Sequence, residues 1–304
     1  EQLLARRSVL GFAVWTMGLA NFDPHRMFLQ LARHRRPVAV LDEGEGVSPP
    51  RMQGCPVRVF ALAHSGKAGR AVGRYLFDLG HRRIAYISPY HASAWSRRRL
   101  VGLREGFNVT GKRDAVVAFT SDRPRRLSSS VRRPPSREGT EWERYIATLR
   151  QQSGRRTGAA MTDRVLIQRH LIDVQLERET RRATEPLAHN AVADPALTAW
   201  VAASDTVALN CLGILGALGR RVPEDISVVG FDNSVESTVR GLTSFNFNTA
   251  AVTHAMVMHI LDPRHHVWKQ KSDHPVELEG YLNERFTTAT PRTATTGRVS
   301  SGPN

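Results

Sequence analysis

Three strand-like runs in this chain end on polar side chains whose types could do chemistry. Residues 226–231, Ile-Ser-Val-Val-Gly-Phe, are followed by Asp232 and Asn233. A short, β-rich apolar run of this kind reads as a strand buried on both faces of a parallel sheet. Pro223 ahead of it cannot continue a helix. In an open α/β sheet, ligands bind in the crevice beyond the carboxyl ends of the strands. A carboxylate and an amide delivered there can hydrogen-bond a polar ligand; a turn-forming Asp-Asn pair is the other reading. Residues 37–41 form a similar run and end at Asp42, with the same two readings. Residues 199–203, Ala-Trp-Val-Ala-Ala, end at Ser204 and Asp205, either of which can also cap the helix that follows.

The elements that must hold these residues follow from periodicity. Val207, Cys211, Ile214, Leu215 and Leu218 mark one apolar face of a helix, and Gly219 supplies its stop. Residues 199–231 are therefore a strand-helix-strand unit, and the crossover rule makes its strands parallel. Earlier in the chain, residues 9–15 read as a strand ending at Trp15. Pro24 opens a helix carrying Met27, Phe28 and Leu31, and residues 57–62 read as a crossover strand. Ala68, Ala71, Val72, Tyr75, Leu76 and Leu79 form a helix stripe closed by Gly80, and residues 84–87 a strand. Leu100, Leu103 and Phe107 form the next helix face, with Ser93 or Ser96 as its cap and Arg99 in its first turn. Residues 115–119 are a further strand. Residues 121–140, rich in Ser, Arg and Pro, read as a flexible insertion. A helix follows over residues 142–149 and another over 165–179, before a return to loop. Residues 244–247 are a strand, Asn248 or Thr249 caps a helix, and Val276, Leu278 and Leu282 suggest a final strand or hairpin.

Composition narrows the class. A chain of 304 residues with 41% hydrophobic residues can bury one large or two modest cores. No run is long enough to span a membrane, and the first residues lack a signal-peptide pattern. Cys55 and Cys211 are the only cysteines, which fits a reducing cytoplasm better than a disulfide framework. The net charge is +15, yet only four of the 43 basic residues are lysine (Lys67, Lys112, Lys269 and Lys271). That skew fits a GC-rich coding bias with arginines spread over solvated faces. The clusters at 97–99, 123–126 and 132–133 lack the interleaved aromatics of a single-strand binding platform.

Catalytic signatures are missing. No strand is followed by G-x-G-x-x-G, and there is no phosphate loop of the G-x-x-x-x-G-K-[ST] type. "SPYHASAWS" is not a nucleophile elbow. The histidines have no metal-ligand spacing. His254 and His259 lie five apart on one helix, a poor spacing for a shared metal, and surface placement explains them. No catalytic residue, metal or cofactor is expected.

Two long segments carry a resemblance. "AASDTVALNCLGILGALGRRVPEDISVVGFDNS" and "AVGRYLFDLGHRRIAYISPYHASAWSRRRLVGLREGF", with the weaker "VELEGYLNERFTT", resemble the effector-binding domain of LacI/GalR-type transcriptional repressors. The resemblance implies a periplasmic-binding-protein-like α/β fold, with two doubly wound parallel-sheet lobes and a ligand cleft between them. Residues 1–62 with 242–264 would form the first lobe, N-terminally truncated. Residues 63–241 with 274–288 would form the second, and 289–304 a disordered tail. Asp232 matches the family's effector-contacting aspartate, Arg99 the arginine that bonds the same ligand, and Asp42 an aspartate from the first lobe. Ser204 stands where many relatives carry asparagine, a departure that shortens its reach. Trp15 could stack on a sugar face or fill the core.

The function implied is effector sensing by a cytoplasmic, homodimeric regulator. Its small-molecule partner would be a sugar or sugar derivative, with a purine or nucleoside behind. The helix-turn-helix headpiece that would contact operator DNA has no counterpart before Glu1, which suggests that the chain begins inside a longer product. Two alternatives stay open: a periplasmic sugar-binding protein of the same fold, and an enzyme on a related α/β scaffold.

Overall fold

The apolar runs become two separate sheets. The computed structural model describes residues 8–15, 24–42, 47–50, 52–62, 65–107, 115–121, 163–265 and 275–292. The first sheet joins β1 (Phe12–Trp15), β2 (Val38–Asp42), β3 (Val57–Leu62) and β9 (Val276–Leu278), in the order β1-β2-β3-β9 and all parallel. The second has the order β10-β8-β7-β6-β4-β5. Its parallel strands are β4 (Ile84–Ser88), β5 (Val116–Thr120), β6 (Ala199–Ala202), β7 (Ser227–Phe231) and β8 (Thr243–Asn246). β10 (Tyr281–Asn283) is antiparallel to β8 at the edge.

Strand alternation builds a core on each face of each sheet. In the second sheet Ile84, Tyr86, Val201, Val229 and Phe231 face α2 (Ser65–Asp78) and α3 (Ala94–Gly106). Ala85, Ile87, Trp200, Ala202 and Val228 face α4 (Asp163–Val192) and α5 (Asp205–Ala217). In the first sheet Phe12, Val14, Val38 and Val40 pack on Phe28 and Leu31 of α1 (Pro24–Ala32), while Ala39, Leu41 and Phe60 pack on Val252 and Met256 of α7 (Thr249–Leu261). A short α6 (Val235–Val239) follows β7. Two-sided burial is why these strands are apolar almost throughout.

α2 and α3 both run antiparallel to the strands, so their N-termini lie at the same end. Their backbones come close enough to admit glycine only: a Cβ on Gly102 would lie 1.9 Å from the Gly66 carbonyl oxygen, and one on Gly69 2.1 Å from that of Arg99.

Several expectations change. Residues 165–192 are continuous helix: Leu187, Ala188 and Ala191 pack on the second sheet, and that burial carries α4 through Pro186. Thr184 is buried and returns its hydroxyl to the Thr180 carbonyl at 2.7 Å. β9 and β10 are not a hairpin on one lobe, because each pairs with a different sheet. β8, assigned with residues 242–264 to the first lobe, pairs with β7 in the second sheet. β1 is an edge strand with alternating exposure rather than a fully buried one. The last residues are held further than expected. Val228 N–H donates to the Thr287 carbonyl at 2.7 Å, and Ala289 N–H donates to Ser227 Oγ at 3.1 Å. His259 is buried at 2% exposure against the Phe60 ring, so surface placement does not describe it. Most of the expected insertion at 121–140, the helix at 142–149 and residues 293–304 lie outside the described residues.

Candidate functional site

The strand order of the second sheet reverses at β4, which has β5 on one side and β6 on the other. Such a switch point opens a crevice at the carboxyl ends of the flanking strands. Ser93 is the N-cap of α3, so Arg99, expected in the first turn, lies in the second, which brings it to this crevice only 8% exposed. Its guanidinium donates to the Ala203 carbonyl, at the end of β6, and Nη2 lies 3.5 Å from Asp232 Oδ1. Three rings surround it: Trp95, Phe231 and Phe247 have centroids 4.6, 4.8 and 4.7 Å from its Cζ. A guanidinium is planar and weakly hydrated, so ring faces hold it where an ammonium would need water. The rings and the carbonyl set its orientation before any ligand arrives.

Asp232 presents its carboxylate to solvent, with a side-chain exposure of 47%. Its φ of 108° lies in the left-handed region, which a non-glycine residue rarely occupies. Asp232 N–H is tied to the Phe245 carbonyl at 2.9 Å, so β8 holds the residue in that conformation. Strained backbone of this sort clusters at ligand sites. Asn233 is taken up by structure. Its N–H donates to Ser244 Oγ at 3.0 Å, and its side-chain oxygen accepts from Arg285 at 2.6 Å. The Asp-Asn pair is thus a turn whose first member faces outward.

Ser204 is the N-cap of α5, accepting from Val207 N–H at 3.4 Å. It stays partly exposed beside the carbonyl that Arg99 grips. Asp205, weighed only as an alternative cap, turns out to fasten the site. It is 1% exposed and accepts from Ser234 N–H at 2.7 Å and from Ser244 Oγ at 2.6 Å. Burial raises its pKa, and these hydrogen bonds pull it back. A Cβ on Gly230 would lie 2.3 Å from its Oδ1, which is why β7 carries glycine there. A cap position followed by a second acid was the available sequence signal; the partners lie 29 and 39 residues away and gave none.

On the first sheet, Trp15 and Asp42 share the carboxyl edge, with Trp15 opposite Leu41 in the register. Trp15 is 55% exposed and does not fill the core. Asp42 is buried and accepts from Val47 N–H at 3.3 Å. It lines a cavity of about 1400 Å³ between the first sheet and helices α2 and α3. Across from Asp42 that cavity is bounded by Gly66, Lys67 and Arg70 of α2 and by Arg97, Arg98 and Val101 of α3. Val57 and Val59 of β3 lie on its apolar side. The structure thus gathers Arg99, Asp232 and Ser204 at one crevice and sets Asp42 in a different cavity; Arg99, Asp232, Ser204 and Trp15 do not line that cavity. Trp95 and Phe247 are the site residues that sequence reasoning passed over. Among the described residues, no cluster of three His, Cys, Asp or Glu side chains could hold a metal, and no helix is long and apolar enough to cross a membrane.

Residues 74–288 match the family described as "Periplasmic binding protein-like domain". Over 70 residues the chain is 41% identical to the HTH-type transcriptional regulator CelR of Thermobifida fusca; the match takes in 22% of this chain and spans about a fifth (21%) of that protein's length. A LacI family transcriptional regulator from Enterococcus faecium, solved with bound ribose, is similar at a TM-score of 0.60 and 18% identity, over 96% of this chain and 83% of that one. A CelR–cellobiose complex is similar at a TM-score of 0.51 and 22% identity, over 94% and 68% of the two chains. The family match runs through more than two thirds of the sequence, and the chain belongs to the periplasmic binding protein-like domain family, sharing its fold with LacI-type transcriptional regulators.

Proposed function

We propose that this chain is the effector-sensing domain of a cytoplasmic LacI-type transcriptional regulator. In this reading it binds a small, hydroxyl-rich ligand between its two sheets. The observation that carries the reading is the Arg99–Asp232 pair at the switch point, where a caged donor fork stands beside an outward-facing carboxylate. Such a pair offers donors and acceptors at fixed spacing to adjacent hydroxyls. Ser204 adds a hydroxyl to the same crevice, and Asp42 and Trp15 would meet the ligand from the first sheet. The ribose and cellobiose bound by the similar regulators support a sugar-type effector. A ligand that touches both sheets favours the arrangement in which they are closest, by the difference in its affinity for open and closed forms. That shift would be passed to operator DNA through a helix-turn-helix segment outside these 304 residues, with the chain acting as a homodimer. In this role the ligand is sensed and not turned over.

The test is a thermal-shift panel of sugars, polyols, sugar phosphates and purines against the chain and its Asp232→Ala variant. A ligand at a hundred times its Kd adds about 2.7 kcal/mol of stability. A hit that disappears in the variant is expected. A panel without hits, or a hit indifferent to the variant, would refute the proposal.

A further inference from the structure

Asp232 and Asn233 follow one another in left-handed backbone, at φ 108° and 49°. Side chains with a Cβ seldom adopt that region, and two in succession persist only where their surroundings over-determine them. On its inner side the turn is held through its backbone. Asp232 N–H donates to the Phe245 carbonyl at 2.9 Å, Asn233 N–H to Ser244 Oγ at 3.0 Å and Ser234 N–H to Asp205 at 2.7 Å. On its outer side it is held through the Asn233 side chain, and the group that grips that side chain is Arg285.

The Arg285 guanidinium is a three-way clamp. Nη2 donates to Asn233 Oδ1 at 2.6 Å and to Thr238 Oγ1 at 3.2 Å, while Nη1 donates to the Leu242 carbonyl at 2.6 Å. It ties the turn after β7 to α6 and to the residue just ahead of β8. Arg285 is itself fixed: its own N–H donates to Thr243 Oγ1 at 3.0 Å, and that of Phe286 to the Gly241 carbonyl at 2.9 Å. The neighbouring elements have other supports. β7 and β8 are joined by their own ladder, and Ser234 caps α6 by accepting from Ser237 N–H at 3.1 Å. What the clamp adds is the setting of Asn233, one residue from the carboxylate in the crevice. A lysine offers a single nitrogen and cannot reproduce the planar fork.

We infer that Arg285 is a positioning residue of the effector site: through Asn233 it fixes the backbone from which Asp232 presents its carboxylate beside Arg99. This rests on the reading of Asp232 as an effector contact. Arg285 touches no ligand in this role. It keeps the turn in the one conformation that leaves Asp232 Oδ1 3.5 Å from Arg99 Nη2. Without the clamp the turn spends part of its time in ordinary backbone regions, and apparent affinity falls with the fraction that remains competent.

The test uses the whole chain with Arg285→Gln, Arg285→Lys and Asn233→Gly, the last removing the acceptor while tolerating the positive φ. Hydrogen exchange reads the turn without any ligand. In Arg285→Gln the Asp232 and Asn233 amides should exchange about tenfold or more faster, the equivalent of one charge-assisted hydrogen bond, while those of β7 keep their protection. Isothermal titration with ribose, glucose and cellobiose then reads the site. Whichever sugar binds the parent chain should bind Arg285→Gln and Asn233→Gly about tenfold more weakly, and Arg285→Lys should not restore it. Combining Arg285→Gln with Asn233→Gly should add little, since both act through one bond. Unchanged exchange at Asp232 and Asn233 would overturn the inference. So would a loosened turn with undiminished affinity, or losses that add in the double variant; a sugar still lost in Asp232→Ala would then leave the effector reading standing. If none of the three sugars binds the parent chain, the effector reading and this inference fall together.

Discussion

Replacing Gly102 by alanine tests the packing that positions Arg99. In an exposed helix interior, Gly→Ala normally stabilises by about 1 kcal/mol, through backbone entropy. At Gly102 the added Cβ would lie 1.9 Å from the Gly66 carbonyl oxygen, 2.7 Å from its carbon and 2.9 Å from its Cα. All three are backbone atoms, so no rotamer change relieves the clash. Restoring an ordinary contact of 3.4 Å moves α2 and α3 apart by about 1.5 Å, far enough to forfeit much of the dispersion energy between them. Overpacking costs about 1–3 kcal/mol, and rigid backbone puts this case at the upper end. Against the propensity gain, the net loss is about 2 kcal/mol. For a chain of this size that lowers Tm by roughly 3 °C. Gly213→Ala in α5 is the control, since nothing lies within 4 Å of its Cβ position and it should gain stability. Urea unfolding reads both variants: Cm should fall for Gly102→Ala and rise for Gly213→Ala, with slopes unchanged. If the two variants shift Cm in the same direction by similar amounts, the close approach of α2 and α3 is wrong.

Two further outcomes follow from buried polar groups. Asp205→Ala strands the Ser234 N–H and the Ser244 hydroxyl in a buried site, and should cost about 2–4 kcal/mol in chemical denaturation; a loss under 1 kcal/mol would contradict its fastening role. His81 is fully buried, and burial lowers its pKa from 6.5 to about 4, partly opposed by the bond its Nε2–H donates to the Ala289 carbonyl at 3.1 Å. Below its unfolded pKa the unfolded chain binds the proton more readily, so stability is full above pH 6.5 and drains away as pH falls towards 4. The loss attributable to this side chain approaches about 3 kcal/mol across that window. Unfolding free energies measured from pH 7 to pH 4 should show it, with a smaller loss in His81→Gln.

What the sequence revealed depended on whether a residue's partner is near in the chain. The buried strands and the α5 stripe were legible because a run of five or six apolar residues declares two-sided burial by itself. The positions of Asp42, Ser204 and Asp232 at strand ends followed from the same runs. α4 was cut short on paper because Thr, Arg and Pro dominate residues 180–186, whereas packing of Ala188 and Ala191 on the sheet decides the matter. β9 and β10 have three residues each and no fully buried side chain, so no alternation could show that they separate into different sheets. The cage around Arg99 draws on residues from Trp95 to Phe247, and no local pattern links them. Trp15 had two readings, and only the edge position of β1 excluded the core.

The interleaving of the two sheets also sets the timetable of synthesis. β3 ends at Leu62, while α7, which covers one face of the first sheet, begins at Thr249. At 5–20 residues per second, a ribosome takes roughly 10–40 s to make the intervening stretch. Throughout that interval Ala39, Leu41 and Phe60 lack the helix that buries them, and the β3 edge lacks β9. The first fifth of the nascent chain therefore spends tens of seconds as a sticky, open-edged sheet. It is the substrate a holdase chaperone would meet, and a premature stop anywhere before residue 249 would leave it in that state.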